Sequence, residues 1–255
     1  MKQVLQYSGG ICSFWSGVRA IEQHGHDNVI WLFADVLMED KDLYRFNADV
    51  ERVLGVKITR LCEGRNPWQV FRDEHMIGNT RADMCSRILK RELLKKHIFD
   101  NYRPTDHAIL FGMDFTEANR LENMAQIYSP FEVWAPMTMA PLWDKCQMQK
   151  RIKSHYGIEP PDLYKEGFPH NNCGGFCVKA GQAHFAHLLK VRPDTYAYHE
   201  REEQAMRDFL GKDVAILRDR RGGVTKPLTL AAFRARVASG EFEKHEWGGC
   251  GCATS

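Results

Sequence analysis

The sequence predicts an α/β fold, in which a mainly parallel sheet carries helices on both faces. Strand-like and helix-like segments alternate through the first half of the 255 residues, and this alternation is typical of βαβ units. Residues 29–34, VIWLFA, form a continuous apolar run, as expected of a strand that is buried on both faces. After about Pro136 the alternation stops, and the remainder is mainly helical.

The elements of the first half follow from their hydrophobic patterns. A short apolar strand at 4–7 runs directly into Ser8, Gly9 and Gly10. The segment at 85–98 has helical spacing and carries basic residues on its outer side. The full set of predicted elements consists of strands at 4–7, 29–34, 57–61 and 107–111, and helices at 14–23, 43–54, 85–98 and about 116–127.

The second half is predicted to be a helical extension packed on the sheet. Prolines punctuate it at 141, 160, 161 and 169. Its predicted helices lie at 142–156, 178–189, 195–209 and 228–238. We therefore divide the chain into an α/β domain at 1–140 and a helical, cysteine-bearing extension at 141–255.

The composition excludes several classes of protein. With 44% hydrophobic and 27% charged residues, the chain is neither disordered nor collagen-like. The 35 basic and 33 acidic residues give a net charge of +2, which neither requires nor excludes a nucleic-acid partner. No apolar run approaches the roughly 18 residues of a membrane span, and the N-terminus lacks the apolar core of a signal peptide. We expect a cytoplasmic protein with no membrane partner.

The segment from Ser8 to Ser13, SGGICS, has the properties of a phosphate-binding loop. Gly9 and Gly10 allow the backbone to approach an anion closely. Ser8 and Ser13 add hydroxyl groups, and the helix that follows offers free N–H groups and the positive end of its dipole. The Walker A and Rossmann glycine patterns are both absent. An ordinary strand–helix turn is the alternative for this loop taken alone.

This loop resembles the pyrophosphate loop (PP-loop) of the adenine nucleotide α-hydrolase-like superfamily, which includes the N-type ATP pyrophosphatases. Further motifs, in order, resemble its phosphoadenylyl-sulfate (PAPS) reductase branch over roughly residues 3–180. They are Phe33-Ala34-Asp35 with Glu39 and Tyr44, Cys85-Ser86-Arg87-x-x-Lys90, Gly112-Met113-Asp114-x-x-Glu117-x-x-Arg120, and Cys173 with Cys177. The chain departs from the superfamily at Cys12, where the loop usually has Asp, and at Asp114, where the branch commonly has Arg.

The resemblance implies an enzyme that binds an adenine nucleotide, either ATP or PAPS/adenylyl sulfate. Lys90, Arg87 and Arg120 would neutralise phosphate or sulfate oxygens. For ATP, Mg²⁺ is expected, held partly by the nucleotide and by Asp35, Glu39 or Asp114. The residues expected to bind the nucleotide are Ser8, Gly9, Gly10, Ser13, Asp35 and Gly112.

The eight cysteines are expected to be reduced, because the chain is expected to be cytoplasmic and the cytosol keeps thiols reduced. Cys173 and Cys177 are four residues apart with two glycines between them, a spacing that suits thiolates sharing one metal. The resemblance implies Cys85 as a third ligand, and Cys252 or Cys250 would be the fourth. A 4Fe–4S cluster, a zinc ion and ligand-free thiols are all open. Two isolated residues, Cys62 and Cys146, are interpreted as buried apolar side chains.

The tail cysteines, Cys250 and Cys252, have a second interpretation as mobile nucleophiles. Three functions follow. The first is ATP-dependent activation of an acceptor at the α-phosphate, coupled to sulfur transfer, with a nucleic acid as one candidate acceptor. The second is adenylyl-sulfate or PAPS reduction by a tail cysteine, with a thioredoxin-like reductant. The third is a nucleotide-binding module without turnover, which the absence of the loop Asp at Cys12 favours. An oligomer is compatible with each.

Overall fold

The computed structural model describes residues 1–79 and 81–242. Its main sheet consists of β1 (Lys2–Tyr7), β2 (Val29–Asp35), β3 (Ile58–Cys62), β4 (His107–Phe111) and β5 (Glu132–Trp134). These strands are all parallel, and their order across the sheet is β3-β2-β1-β4-β5. The most central strand is therefore the first in sequence.

Helices connect the strands and form most of the second half. In the sheet region they are α1 (Ile11–His24), α2 (Lys41–Leu54), α3 (Pro67–Asp73), α4 (Met84–Ser86), α5 (Leu93–Asn101) and α6 (Leu121–Tyr128). The later helices are α7 (Lys145–Tyr156), α8 (Asp162–Lys165), α9 (Gln182–Val191), α10 (Pro193–Leu210) and α11 (Leu230–Ala238). A π-helical segment, Arg87–Glu92, joins α4 to α5, and a 3-10 segment, Phe115–Arg120, precedes α6.

Helices pack on both faces of the sheet. Successive residues of a strand point to opposite sides, so each central strand contributes apolar side chains to both faces. Leu5 and Tyr7 of β1 belong to an apolar cluster that includes residues of α1, α2 and α7. Val4 of β1 and Leu32 of β2 belong to a second cluster, with residues of α5 and α6. The buried strands therefore need apolar residues at every position, as the run at 29–34 predicted.

The strand order places a crevice at the centre of the sheet. From β1 the chain first forms β2 on one side, and later β4 on the other. In open parallel sheets, the helices that follow two such strands diverge, and a ligand crevice opens at the carboxyl ends of the strands. This arrangement brings the loop after β1 and Gly112 after β4 to the same edge.

A third apolar cluster joins the second half of the chain to the sheet region. It combines Trp68 and Phe71 of α3 with Phe185 of α9 and Phe233 of α11. Trp68 also donates its indole N–H to Nδ1 of His199, at 3.0 Å. The helical extension is therefore packed on the sheet region through a continuous core.

One buried carboxylate organises the last part of the described chain. Glu203 of α10 accepts hydrogen bonds from the backbone N–H groups of Ile216 at 3.0 Å and Leu230 at 2.6 Å. Burial raises the pKa of this carboxyl, and the two bonds oppose the shift. Ile216 directly precedes β6 (Leu217–Asp219), which pairs antiparallel with β7 (Lys226–Leu228). Glu203 therefore ties this hairpin and α11 to α10.

The α/β class, with a mainly parallel sheet and a helical C-terminal region, is confirmed. The sequence reasoning missed α3, β5 and the β6–β7 hairpin, and the hairpin strands and β5 each have three residues, too few for a periodic signal. The start of α3 could have been predicted from the sequence, since Asn66 and Gln69 form a capping box and Pro67 is the first helical residue. The boundary at residue 140 between two domains stays a prediction.

Two smaller findings concern the isolated cysteines and membranes. Cys62 and Cys146 are exposed, so their interpretation as buried residues is wrong. Cys62 ends the edge strand β3, and Cys146 lies in the first turn of α7. Within residues 1–79 and 81–242, the helices fall short of the length and hydropathy that crossing a bilayer requires.

Replacing Glu203 by Ala should destabilise the fold. The change leaves two buried N–H groups without an acceptor, and we expect the free energy of unfolding to fall by about 3 kcal/mol. Urea unfolding followed by tryptophan fluorescence measures it. The matched control is Glu202→Ala, one residue earlier on α10, which should change stability by no more than about 0.5 kcal/mol. Equal losses in both variants would contradict the proposed tie.

Candidate functional site

A cleft of about 330 Å³ opens at the carboxyl ends of β1 and β4. Its walls include Ser8 and Gly10 from the loop after β1, Cys12 from the first turn of α1, and Gly112 directly after β4. The segment at 169–172 and one side of the helix around Lys90 complete it. The volume lies in the range of small-molecule sites, and the position is the one that the strand order predicts.

We call residues 8–13, which comprise the turn after β1 and the start of α1, the 8–13 loop. Its conformation is fixed by its own backbone and by the side chain of Ser13. Gly9 has φ +75°, a left-handed conformation that glycine adopts without strain. The Ser13 hydroxyl donates to the carbonyl oxygen of Gly10 at 2.8 Å and accepts from the N–H of Ser8 at 3.2 Å. Within the described chain, no side chain caps the first turn of α1. Its N–H groups can therefore bind an anion.

Gly112 is required by a close approach between β4 and the 8–13 loop. A Cβ atom at this position would lie 2.5 Å from the Cβ of Ser13 and 2.6 Å from its Cα. Any side chain would push the two segments apart. Gly112 therefore acts through packing, since it lets the end of β4 form the floor beside the loop.

Cys12 and Asp114, two of the positions at which the chain departs from the family that it resembles, are neighbours in space. The Cys12 thiol donates to Oδ2 of Asp114, with the sulfur and oxygen 3.7 Å apart. Burial raises the pKa of Cys12 to about 12, and the Asp114 carboxylate adds to the shift. Asp114 is itself buried and accepts from the N–H of Thr116 at 2.9 Å. At neutral pH this position therefore presents a neutral thiol beside a buried carboxylate.

Among the residues that the structure describes, four cationic side chains line the cleft: Lys90, Arg91, Arg120 and Lys145. Sequence reasoning identified Lys90 and Arg120 but missed Arg91 and Lys145. Three of the four have carboxylate partners, which are Glu39 for Lys90 at 3.0 Å, Asp83 for Arg91 at 2.9 Å, and Glu117 for Arg120 at 2.5 Å. The Lys145 ammonium instead donates to the carbonyl oxygen of Pro169, at 3.1 Å.

Two predicted site residues lie apart from the cleft walls. Arg87 is half-exposed and pairs with Glu92 at 2.9 Å and with Glu74 at 3.4 Å. Asp35 is fully buried, where it pairs with Arg60 at 2.6 Å and accepts from the Tyr44 hydroxyl at 2.9 Å. The structure therefore uses both side chains in ion pairs outside the cleft.

Polar atoms that lack a protein partner point to a ligand in the cleft. Asn171 is 2% exposed, lines the cleft and donates its amide N–H to the carbonyl oxygen of Gly9 at 3.2 Å. Its Oδ1 atom and the hydroxyl of Tyr7, another buried cleft residue, have no hydrogen-bond partner among the described residues. Burial raises the pKa of Tyr7, so its hydroxyl is protonated. A bound polar molecule would satisfy both groups.

Three predicted metal ligands meet beside the cleft. Cys85, Cys173 and Cys177 line a small cavity of about 20 Å³, together with Lys90. Cys173 donates its backbone N–H to Oε2 of Glu39 at 2.5 Å. Burial raises the pKa of Glu39, and the adjacent Lys90 ammonium opposes that shift. The cysteines that are distant in sequence are therefore close in space.

The described residues do not supply a metal site. Across residues 1–79 and 81–242, no three Cys, His, Asp or Glu side chains are arranged to hold one ion. Asp35 and Glu39, expected near Mg²⁺, are occupied by Arg60 and Lys90. Cys250 and Cys252, including the predicted fourth ligand Cys252 and the proposed nucleophile, lie outside the described residues.

The similarities found between this chain and known proteins are weak. No protein-family model matches it. It is 26% identical over 215 residues to an uncharacterized protein from Methanocaldococcus jannaschii, a match that covers 82% of this chain and 42% of that protein. The chain thus spans less than half the length of that relative. It is also similar to the crystal structure of PAPS reductase from Candida auris in a phosphate complex, with 16% identity, a TM-score of 0.47, and coverage of 66% of this chain and 79% of that one.

The Cys12 thiol should react slowly although it lines the cleft. With its pKa raised to about 12, about one thiol in ten thousand is ionised at pH 8, and the thiolate is the nucleophile. Iodoacetamide at pH 8 should label Cys12 at least about 100-fold more slowly than the exposed Cys62 and Cys146. Peptide mass spectrometry resolves the three rates.

The variant Asp114→Asn separates this electrostatic cause from steric protection. Removing the neighbouring carboxylate charge should lower the thiol pKa and accelerate labelling of Cys12, while Cys62 serves as the unchanged reference. Labelling of Cys12 as fast as that of Cys62 in the wild type would contradict the raised pKa.

Proposed function

We propose that this chain is an enzyme that binds an adenine nucleotide in the cleft and acts at its α-phosphate. The most favoured reaction is ATP-dependent activation of an acceptor, coupled to sulfur transfer. Three features support nucleotide binding: the uncapped start of α1, the four cations that line the cleft, and the unsatisfied polar atoms of Tyr7 and Asn171. Backbone N–H groups and cations together are what a polyphosphate requires.

The observation that carries the sulfur-transfer proposal is the position of Lys90. Its side chain lines both the cleft and the small cavity formed by Cys85, Cys173 and Cys177. A sulfur atom on one of these cysteines would therefore lie next to the nucleotide site. Glu39 pairs with Lys90 and also accepts from the backbone N–H of Cys173. These contacts hold the cysteine-lined cavity beside the cleft.

The reaction would proceed in two displacements. In the first, a nucleophilic oxygen of the acceptor forms a bond to the α-phosphorus of ATP, and pyrophosphate leaves. The 8–13 loop and the start of α1 would stabilise the negative charge on the leaving group. In the second, the terminal sulfur of a persulfide on one of the cysteines, loaded from a low-molecular-weight persulfide, attacks the acceptor carbon that bears the activated oxygen, and AMP leaves with that oxygen. A second cysteine thiolate then attacks the sulfur of the first cysteine, which breaks the S–S bond and releases the thiolated acceptor. The disulfide that this leaves is reduced by a thiol. The residues assigned here to charge neutralisation are Lys90 and Arg120, since Arg87 lies apart.

The remaining partners follow from this reaction. The nucleotide is the small-molecule partner, and a nucleic acid is one candidate acceptor. In this proposal the side chains of Cys85, Cys173 and Cys177 supply the sulfur-bearing groups beside the cleft. The tail cysteines, Cys250 and Cys252, remain candidates for delivering sulfur.

The double variant Glu39→Gln/Lys90→Gln tests the proposal. The pair is removed together because Lys90→Gln alone would leave the fully buried Glu39 carboxylate without its cation. The purified protein is incubated with Mg²⁺, α-labelled ATP, glutathione persulfide as sulfur donor and dithiothreitol as reductant, with and without total tRNA as a trial acceptor, and AMP and pyrophosphate are measured. We expect the wild type to release both products, and the double variant to be slower by about 100-fold or more.

The control for this experiment is Lys95→Gln, an exposed lysine of α5 outside the cleft, which should turn over ATP at the wild-type rate. Circular dichroism confirms that each variant is folded. Adenylyl sulfate is supplied in parallel, with dithiothreitol as reductant. Release of sulfite and AMP, without turnover of ATP, would overturn the proposal in favour of a reductase. Binding of ATP without either reaction would indicate a non-catalytic module.

A further inference from the structure

Lys145 is placed at the nucleotide cleft by a part of the chain far from the 8–13 loop. It is the first residue of α7 and lines the cleft with Ser8, Gly10 and Cys12. Its ammonium lies close enough to the Cys12 thiol to oppose the rise in the thiol pKa. The positive charge of this α7 residue therefore lies near the loop that follows β1.

The charge of Lys145 differs from that of the other cleft cations. Lys90, Arg91 and Arg120 are each paired with a carboxylate. In the described part of the chain, Lys145 has no such partner, and its hydrogen bond goes to a neutral carbonyl oxygen, that of Pro169. Lys145 therefore adds a net positive charge to the cleft, where the other three charges are largely compensated.

The helix itself does not favour a lysine at this position. The first turn of a helix carries partial positive charge, so a cation there is disfavoured. Asp144, the residue before, caps α7 by accepting from the N–H of Gln147 at 2.7 Å. The cap needs no lysine beside it. A ligand anion would compensate for the unfavourable position of Lys145.

The segment at 169–172 connects Lys145 to the loop. The carbonyl oxygen of Pro169 holds the Lys145 ammonium at 3.1 Å, while the Asn171 side chain holds the carbonyl oxygen of Gly9 at 3.2 Å. In a trans peptide the C=O and the next N–H point in opposite directions, so the bond to Asn171 also fixes the N–H of Gly10. The unsatisfied Oδ1 atom of the buried Asn171 lies at the same site.

We propose that Lys145 is an anion-binding residue that pairs with the terminal phosphates of a nucleoside triphosphate held on the 8–13 loop. The inference rests on the proposed function and deepens it, because it assigns recognition of the polyphosphate end to one side chain of α7. Lys145 then selects ATP over nucleotides that lack the β- and γ-phosphates. It binds the substrate and does not position another residue.

The test compares three variants of the full chain by isothermal titration with ATP and AMP. Lys145→Gln removes the charge, Lys145→Arg keeps it, and Lys150→Gln removes an exposed lysine further along α7 as a control. At low salt, Lys145→Gln should weaken ATP binding about tenfold or more, and AMP binding by less than about twofold. The Arg variant should retain most of the affinity for ATP. The control should bind as the wild type does.

Two further measurements complete the design. The loss in ATP affinity should shrink when the salt concentration is raised to about 0.5 M, since the side chain is exposed and its charge is screened. The melting temperature of Lys145→Gln should equal or exceed that of the wild type, because an unfavourable helix charge is removed. A folded Lys145→Gln protein is therefore available for titration.

The outcomes separate the two proposals. If the wild type binds ATP and Lys145→Gln binds it equally well, the assignment of Lys145 is overturned while nucleotide binding stands. An equal loss for ATP and AMP would also overturn recognition of the terminal phosphates. If the wild type binds neither nucleotide, the proposed function fails, and the role of Lys145 fails with it.

Discussion

The buried Glu39 carboxylate is the constraint on which the site depends. Its side chain is fully buried, and a charge in that position must be paired. It accepts from the Lys90 ammonium and from the backbone N–H of Cys173, so three segments that are distant in sequence must meet there. The cavity lined by Cys85, Cys173 and Cys177 therefore shares a wall with the cleft. The relative position of the cavity and the cleft thus follows from the need to pair the buried Glu39 carboxylate.

The sheet supplies the other half of the arrangement. Because β1 lies between β2 and β4, the 8–13 loop and Gly112 reach the same edge. The contact between Gly112 and Ser13 is so close that it excludes any side chain, and Ser13 in turn fixes the backbone of Gly10 and Ser8. Strand order therefore locates the cleft, and two small residues determine the shape of its floor.

The sequence allowed prediction of those parts of the fold and site that depend on local pattern. The alternation of elements identified the sheet, and the glycine-rich loop identified one wall of the cleft. Lys145 carried no local signal, since it is a single lysine at the start of an ordinary helix and meets the loop only through tertiary packing. Arg87 was expected in the site because its motif resembles that of the family, whereas the structure places Arg91 on the cleft wall. The π-helical segment, Arg87–Glu92, widens one turn, so the faces expected from regular helical spacing do not apply there.

The neutral thiol at Cys12 bears on whether the site is catalytic. In the resembling superfamily the loop usually carries an Asp at this position, and its absence favoured a binding module without turnover. In the structure Oδ2 of Asp114 lies 3.7 Å from the Cys12 sulfur, so a carboxylate from the segment that follows β4 lies beside the loop. This position therefore gives little reason to expect loss of turnover, and the case for an enzyme rests on the cations and thiols around Lys90.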